Sequence, residues 1–259
     1  MPKFAANLSM LFPELDFLDR FEAAAQAGFK GVEYLFPYAY DKQVLATRLK
    51  DNGLVQVLHN LPAGNWDSGG RGIACHPDRV DEFREGVDRA IDYASTLACT
   101  QVNCLAGKLP AGLDPAQAHR TFVNNLRDAA PRLADAGIRL LIEPINTYDI
   151  PGFFLNRTEQ AAAILDEVGS PNLSIQYDIY HAQRMEGELG ATIERHLARI
   201  GHIQLADNPG RNEPGTGEIH FPWLLRHIDS LGYEGWIGCE YKPAGDTRQG
   251  LAWIQAVSA

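Results

Sequence analysis

Three acidic residues in this sequence each end a short apolar stretch: Glu143 in Leu141-Ile142-Glu143-Pro144, Asp178 in Ile175-Gln176-Tyr177-Asp178, and Glu240 in Ile237-Gly238-Cys239-Glu240. A fourth stretch, His202-Ile203-Gln204-Leu205, carries an amide in the comparable place. Side chains of an extended chain alternate between its two faces. Ile142, Ile175, Tyr177, Ile203, Leu205, Ile237 and Cys239 therefore share one face, and Glu143, Gln176, Asp178, His202, Gln204 and Glu240 share the other. Carboxylates gathered in an interior must shift their pKa values or hold a cation. A divalent metal held by Glu143, Asp178, Gln204 and Glu240 resolves the conflict with oxygen donors alone. Such a set suits Mg²⁺ or Mn²⁺ better than Zn²⁺, which favours His and Cys. The competing account pairs each acid with a buried Arg or Lys, but the basic residues near strand ends are few: Arg71, Lys108 and Lys242.

The elements that must position these groups follow from periodicity. Apolar β-type runs recur at Phe4–Ser9, Gly31–Leu35, Leu54–Leu61, Thr100–Ala106, Ile138–Ile145, Leu173–Tyr180, His202–Ala206 and Trp236–Tyr241. Between them, Val80, Phe83, Val87, Ala90, Ile91, Ala94 and Leu97 mark one amphipathic helical face. Phe122, Leu126, Ala129 and Leu133 mark another, entered by Asp114 with Pro115 at the first helical position and closed by Gly137. Leu18, Phe21, Ala24 and Ala25 mark a third, and further helices are expected over 41–52, 158–168, 187–199, 221–231 and 247–256. Eight strands each followed by a helix, within about 250 residues, is the count for a (β/α)8 TIM barrel, here a single domain over 1–259. A doubly wound open sheet would usually carry a glycine-rich first turn, and none follows Phe4–Ser9. In a barrel one strand face points inward, so the polar set converges at the C-terminal ends of strands five to eight. The long non-periodic stretch from Pro62 to Pro77 follows the third strand and belongs at the same mouth.

Composition narrows the function. The chain has 259 residues, 45% hydrophobic and 22% charged, as an ordinary globular protein does. Its net charge of −10, with no basic cluster, argues against a nucleic-acid partner. No apolar run approaches the roughly 20 residues of a membrane span, and the N-terminus does not read as an export signal. Cys75, Cys99, Cys104 and Cys239 show no metal-site spacing and read as reduced thiols of a cytoplasmic protein. The sequons at Asn7 and Asn156 are then chance matches.

Several segments together resemble the xylose isomerase-like TIM barrels, and within them the hydroxypyruvate isomerase family. They are Ile142-Glu143-Pro144-Ile145-Asn146, Gln176-Tyr177-Asp178-Ile179-Tyr180-His181 and Gly235-Trp236-Ile237-Gly238-Cys239-Glu240-Tyr241-Lys242-Pro243. Leu58-His59-Asn60-Leu61-Pro62-Ala63-Gly64, Arg71-Gly72-Ile73-Ala74-Cys75 and Ala206-Asp207-Asn208-Pro209 extend the likeness over essentially the whole chain. The wider superfamily usually places His at the third metal position; this chain has Gln204, as the hydroxypyruvate isomerase branch does. The resemblance implies interconversion of hydroxypyruvate and 2-hydroxy-3-oxopropanoate (tartronate semialdehyde) through an enediolate. It implies Glu143 and Glu240 as the acid/base pair, a divalent metal as Lewis acid and no nucleotide cofactor.

Such a substrate carries a carboxylate into an acidic protein, so local groups must hold it. Arg71, on the third loop, is the first candidate because its planar fork suits a carboxylate. His59 and His181 come next, then Lys108 and Lys242. His202, one step below Gln204, reads as structural support, and Glu186 as a surface charge or an orienter of substrate hydroxyls. The expected partner is a small molecule, with assembly into a homo-oligomer left open. Competing readings are a 2-oxo-tetronate or other short sugar-acid isomerase or epimerase, a metal-dependent phosphodiesterase like the AP endonucleases, and an inactive sugar-acid-binding protein.

Overall fold

The structure, a computed structural model, describes residues 2–258; Met1 and Ala259, the ends of the expected unit, lie outside the described residues. The strands are β1 (Lys3–Asn7), β2 (Gly31–Glu33), β3 (Val55–Asn60), β4 (Gln101–Cys104), β5 (Arg139–Ile142), β6 (Leu173–Asp178), β7 (Ile200–Leu205) and β8 (Trp236–Cys239). All neighbours are parallel, and β1 pairs with β8, closing a barrel in sequence order. Each of the eight expected β runs is a strand of this barrel, and the fold is a (β/α)8 TIM barrel.

The helices are α1 (Arg20–Gln26), α2 (Lys42–Asp51), α3 (Val80–Thr96), α4 (Pro115–Asp135), α5 (Thr158–Val168), α6 (Ile179–Met185), α7 (Leu189–His196), α8 (Phe221–Ser230), α9 (Thr247–Gly250) and α10 (Ala252–Ser258). Their starts are locally encoded. Asp114 accepts a hydrogen bond from the Ala116 amide at 3.0 Å, and Pro115 needs no donor at the first position of α4. Along α3, Phe83, Val87, Ala90 and Ala94 recur on one buried face. The helix expected over 187–199 is α7 followed by a tighter turn at Leu197–Arg199, and that expected over 247–256 is divided at Leu251 into α9 and α10. No helix among the described residues is long and apolar enough to cross a membrane, and all four cysteines are buried and unpaired.

Two layers fill the barrel. Ala5, Val57, Leu58 and Leu141, with Trp236, form an apolar plug separate from the main core. Ile142, Ile175, Tyr177, Ile203, Leu205, Ile237 and Cys239 lie in the outer core, beneath the helices. The opposite parity at the C-terminal ends is polar and almost wholly buried: Asn7, Glu33, Asn60, Asn103, Glu143, Gln176, Asp178, His202, Gln204 and Glu240. One irregularity matters. Val32 pairs with Gln56 but Glu33 pairs with Leu58, so β3 carries an extra residue at that point. Val57 and Leu58 both enter the plug, and alternation beyond them turns His59 toward the helices and Asn60 toward the interior.

Candidate active site

Glu143 and Glu240 each follow the last residue of their strand, β5 and β8, and Asp178 ends β6. Asp178 is also the N-cap of α6: its Oδ1 accepts from the amides of Tyr180 at 2.7 Å and His181 at 3.3 Å. The cap fixes the carboxyl plane and leaves Asp178 Oδ2 buried without a hydrogen-bond partner. The same turn carries His181 over the mouth. One donor atom from each of Glu143, Asp178, His181 and Glu240 lies within 4.8 Å of the others, and all four residues are buried.

Each member is held from behind. Asn103 of β4 donates to Glu143 Oε2 at 2.9 Å and to Asn60 Oδ1 at 3.1 Å. Asn146 Nδ2 lies 2.6 Å from His181 Nδ1 and Arg211 Nη2 lies 3.5 Å from its Nε2, so both ring nitrogens are engaged. That Nε2 faces Asp178 Oδ2 at 3.6 Å and Glu143 Oε1 at 3.9 Å. Asn7 of β1 donates to Glu240 Oε1 at 3.3 Å and to Glu33 Oε1 at 3.0 Å.

Among the described residues one cation reaches the cluster, and it is none of those expected from the strand ends. Arg211, from the loop after β7, donates from Nη2 to Glu240 Oε2 at 2.7 Å and lies 3.7 Å from Asp178 Oδ2. The competing account of buried Arg pairing therefore holds in part, through a residue other than Arg71, Lys108 and Lys242. It does not balance the charge: Glu143, Asp178 and Glu240 share a single guanidinium. Burial, then the neighbouring Glu240 and Asp178 carboxylates, raise the Glu143 pKa well above the usual range, against the pull of Arg211 and Asn103. Burial likewise raises Glu240, to about 8, although Arg211 opposes the shift. Burial lowers His181 to about 3, so its ring is neutral. Burial also opposes the Arg211 charge, but Glu240, Asp178 and Glu143 outweigh it and hold its pKa above the ordinary value.

The remaining expected residues fall at varying distance from this cluster. Gln204 is buried on the same inner face, its Nε2 donating to Glu33 Oε1 at 2.7 Å and its Oε1 accepting from Gln176 at 2.6 Å. A carbonyl oxygen has two lone pairs, so one stays available to a cation. Arg71 is folded onto its own loop: it stacks on Trp66 at 4.2 Å and donates to the Trp66 and Gly70 carbonyls at 3.0 and 2.7 Å. His59 lies on the outer face of β3, 3.0 Å from Gln56 and against the Tyr38 ring, outside the cluster. Lys108 is half-buried, and its backbone carbonyl engages His76 at 2.9 Å. His202 supports the interior through Glu33, 2.7 Å away. Glu186 accepts from the Thr158 amide and hydroxyl at 2.8 and 3.0 Å, tying the start of α5 to the loop after α6.

The donor set fits a divalent cation. Its carboxylates exceed the charge of the one guanidinium beside them, and one carboxylate oxygen, Asp178 Oδ2, is buried without a donor. Glu143, Asp178 and Glu240, with Gln204 or His181 completing the set, could hold the ion.

Comparison with known proteins agrees with this architecture. The profile of the xylose isomerase-like TIM barrel family matches residues 21–257. Hydroxypyruvate isomerase of Escherichia coli K12 is 57% identical over 254 residues, covering 98% of each chain. A 2-oxo-tetronate isomerase of Cupriavidus necator is 48% identical, again over 98% of both. A crystal structure from Brucella melitensis, described as an AP endonuclease of family 2, superimposes with a TM-score of 0.97 at 46% identity over 99% of each chain. The chain thus belongs to the xylose isomerase-like TIM barrels, in the hydroxypyruvate isomerase family.

Proposed function

We propose that this protein is an isomerase of short sugar acids that interconverts hydroxypyruvate and 2-hydroxy-3-oxopropanoate through an enediolate. The observation that carries the reading is the pair of buried glutamates, Glu143 and Glu240, whose carboxyl oxygens lie within 4.8 Å of one another at the barrel mouth. In the forward direction C3 loses a proton and C2 gains one, while the hydroxyl proton passes from O3 to O2. The step needs a base that holds a proton near neutral pH and an acid that gives one up there. A buried carboxyl group with an elevated pKa serves either role.

Glu143, Asp178, Gln204 and Glu240 are the proposed ligands of a divalent metal, Mg²⁺ or Mn²⁺. When bound there, such an ion would supply Lewis-acid stabilisation of the negative charge that develops on the substrate oxygens. The chain's own groups do the rest. Glu143 and Glu240 exchange the proton with carbon. His181, with a neutral ring, presents Nε2 toward the substrate oxygens as a hydrogen-bonding group. Arg211 offers the substrate carboxylate a guanidinium at the cluster, which Arg71, Lys108 and His59 do not in this arrangement.

A 2-oxo-tetronate substrate is the second reading, favoured by the 48% identical relative that carries that activity in its name. A phosphodiesterase reading draws little from the site, whose cluster has a single histidine in an acidic chain. Incubation in D₂O with hydroxypyruvate and with four-carbon 2-keto sugar acids separates these readings. We expect deuterium at the carbon next to the carbonyl of hydroxypyruvate, faster than in any four-carbon acid. Exchange confined to the four-carbon acids would transfer the assignment, and exchange in none would remove the isomerase.

A further inference from the structure

Beneath the cluster lies a fourth buried carboxyl group, Glu33 of β2, outside the donor set. It is 1% exposed and sits where β1, β2, β7 and β8 meet. Oε1 accepts from Gln204 Nε2 at 2.7 Å and from Asn7 Nδ2 at 3.0 Å, and Oε2 lies 2.7 Å from His202 Nε2. Gly238 of β8 lies against it, because a Cβ there would stand 2.3 Å from Glu33 Oε2.

Glu33 Oε1 is the acceptor in both of these amide contacts. The Gln204 side chain must then turn its NH₂ to Glu33 and its carbonyl oxygen away from it. The carbonyl in turn requires the NH₂ of Gln176 at its other side, as observed at 2.6 Å. Both amides, ambiguous in isolation, are thereby oriented by one carboxyl group. Through Asn7 the same carboxylate reaches Glu240 Oε1, which accepts from Asn7 at 3.3 Å. We infer that Glu33 is the positioning residue of this centre: it orients the Gln204 amide so that an oxygen, not an NH₂, faces the cation, and it holds Asn7 behind Glu240. The inference rests on the proposed metal reading and names what makes a neutral amide a competent ligand there. Partners behind metal ligands commonly set affinity by orienting them.

The test is a double-mutant cycle on Mn²⁺ binding, read by calorimetry and by the Mn²⁺ electron paramagnetic resonance signal. Gln204→Ala should weaken Mn²⁺ binding, and Glu33→Met, of similar length but without an acceptor, should weaken it about 10–100-fold. Glu33→Gln can keep one oxygen toward Gln204 and Asn7 while its NH₂ faces the His202 ring nitrogen, so it should stay within about threefold of the unmodified protein. In the Glu33→Met background, Gln204→Ala should cost little more, because the amide is already unoriented. Losses that add fully, or a Glu33→Met protein with unchanged affinity, overturn the positioning role while leaving the metal reading intact. An unmodified protein that binds no Mn²⁺ removes the metal reading itself. Should Glu33→Met not fold, a Mn²⁺-soaked crystal of the unmodified protein decides. Gln204 Oε1 on the ion with Nε2 on Glu33 is expected, and an amide detached from Glu33, or Glu33 on the ion, contradicts the inference.

Discussion

At the scale of single residues, burial and crowding give Glu143 and Glu240 the chemistry of groups poised near neutrality, where exposed carboxylates are fully ionised. Glu143→Gln and Glu240→Gln keep the shape and remove the proton exchange. Each should lower kcat about 10²–10⁴-fold, in steady-state assays on protein with unchanged circular dichroism. A variant with near-normal kcat would lose its acid/base role. Glu143, Asp178 and Glu240 were legible because alternation alone sends them inward. The same rule extended to β2 points to Glu33, flanked by the outward Val32 and Tyr34, yet three residues are too short a strand to draw attention. Arg211 carried no such signal. It lies in a loop with a left-handed backbone, φ 56°, and its reach across the mouth is set by tertiary structure rather than by period.

Among the elements, the third loop shows how backbone fit governs position. Gly72 has φ 111°, and a Cβ there would lie 2.4 Å from the Leu105 carbonyl oxygen. Its carbonyl side runs against the chain after β4, where Gly72 bridges to Ala106 and the Cys75 amide donates to Ala106 O at 2.9 Å. Gly72→Ala should therefore cost about 1–3 kcal/mol, read as a lower midpoint in thermal unfolding. An unchanged midpoint would mean that the loop is not anchored at Gly72. The loop's placement after β3 was legible from its length and glycines. The direction of Arg71 was not, because stacking on Trp66 is a contact within the loop that spacing does not encode. His59 was misleading for a related reason: a single extra residue in β3 reverses the parity beyond it.

For the whole molecule, the barrel was readable from eight periodic runs, whereas the charge economy of its interior was not, because it depends on which loop cation arrives. That economy has a pH signature. Glu143 and Glu240 have raised pKa values in the fold, so without metal their ionisation destabilises it progressively above the unfolded value near 4.5 and up to about 8 for Glu240. His59 and His181, lowered to about 3, act oppositely, giving stability that is lost as pH falls below the unfolded value of 6.5. The two effects oppose one another between 4.5 and 6.5, and from 6.5 to 8 the glutamates act without the histidines. There, metal-free protein should lose stability with rising pH, by about 1.4 kcal/mol per pH unit for each retained proton. Urea unfolding across that interval should show the decline, and Glu240→Gln should flatten it. A decline that Glu240→Gln leaves intact would assign it to other groups.

The barrel mouth holds more carboxylate than Arg211 neutralises, and the protons it keeps are those a divalent cation would displace on binding. Calorimetric titration with Mn²⁺ near pH 6.5, in buffers of different ionisation enthalpy, counts those protons directly. Net proton release on binding is expected, shrinking as the pH is raised past about 8. Saturable binding with no proton released, or no binding at all, would contradict it.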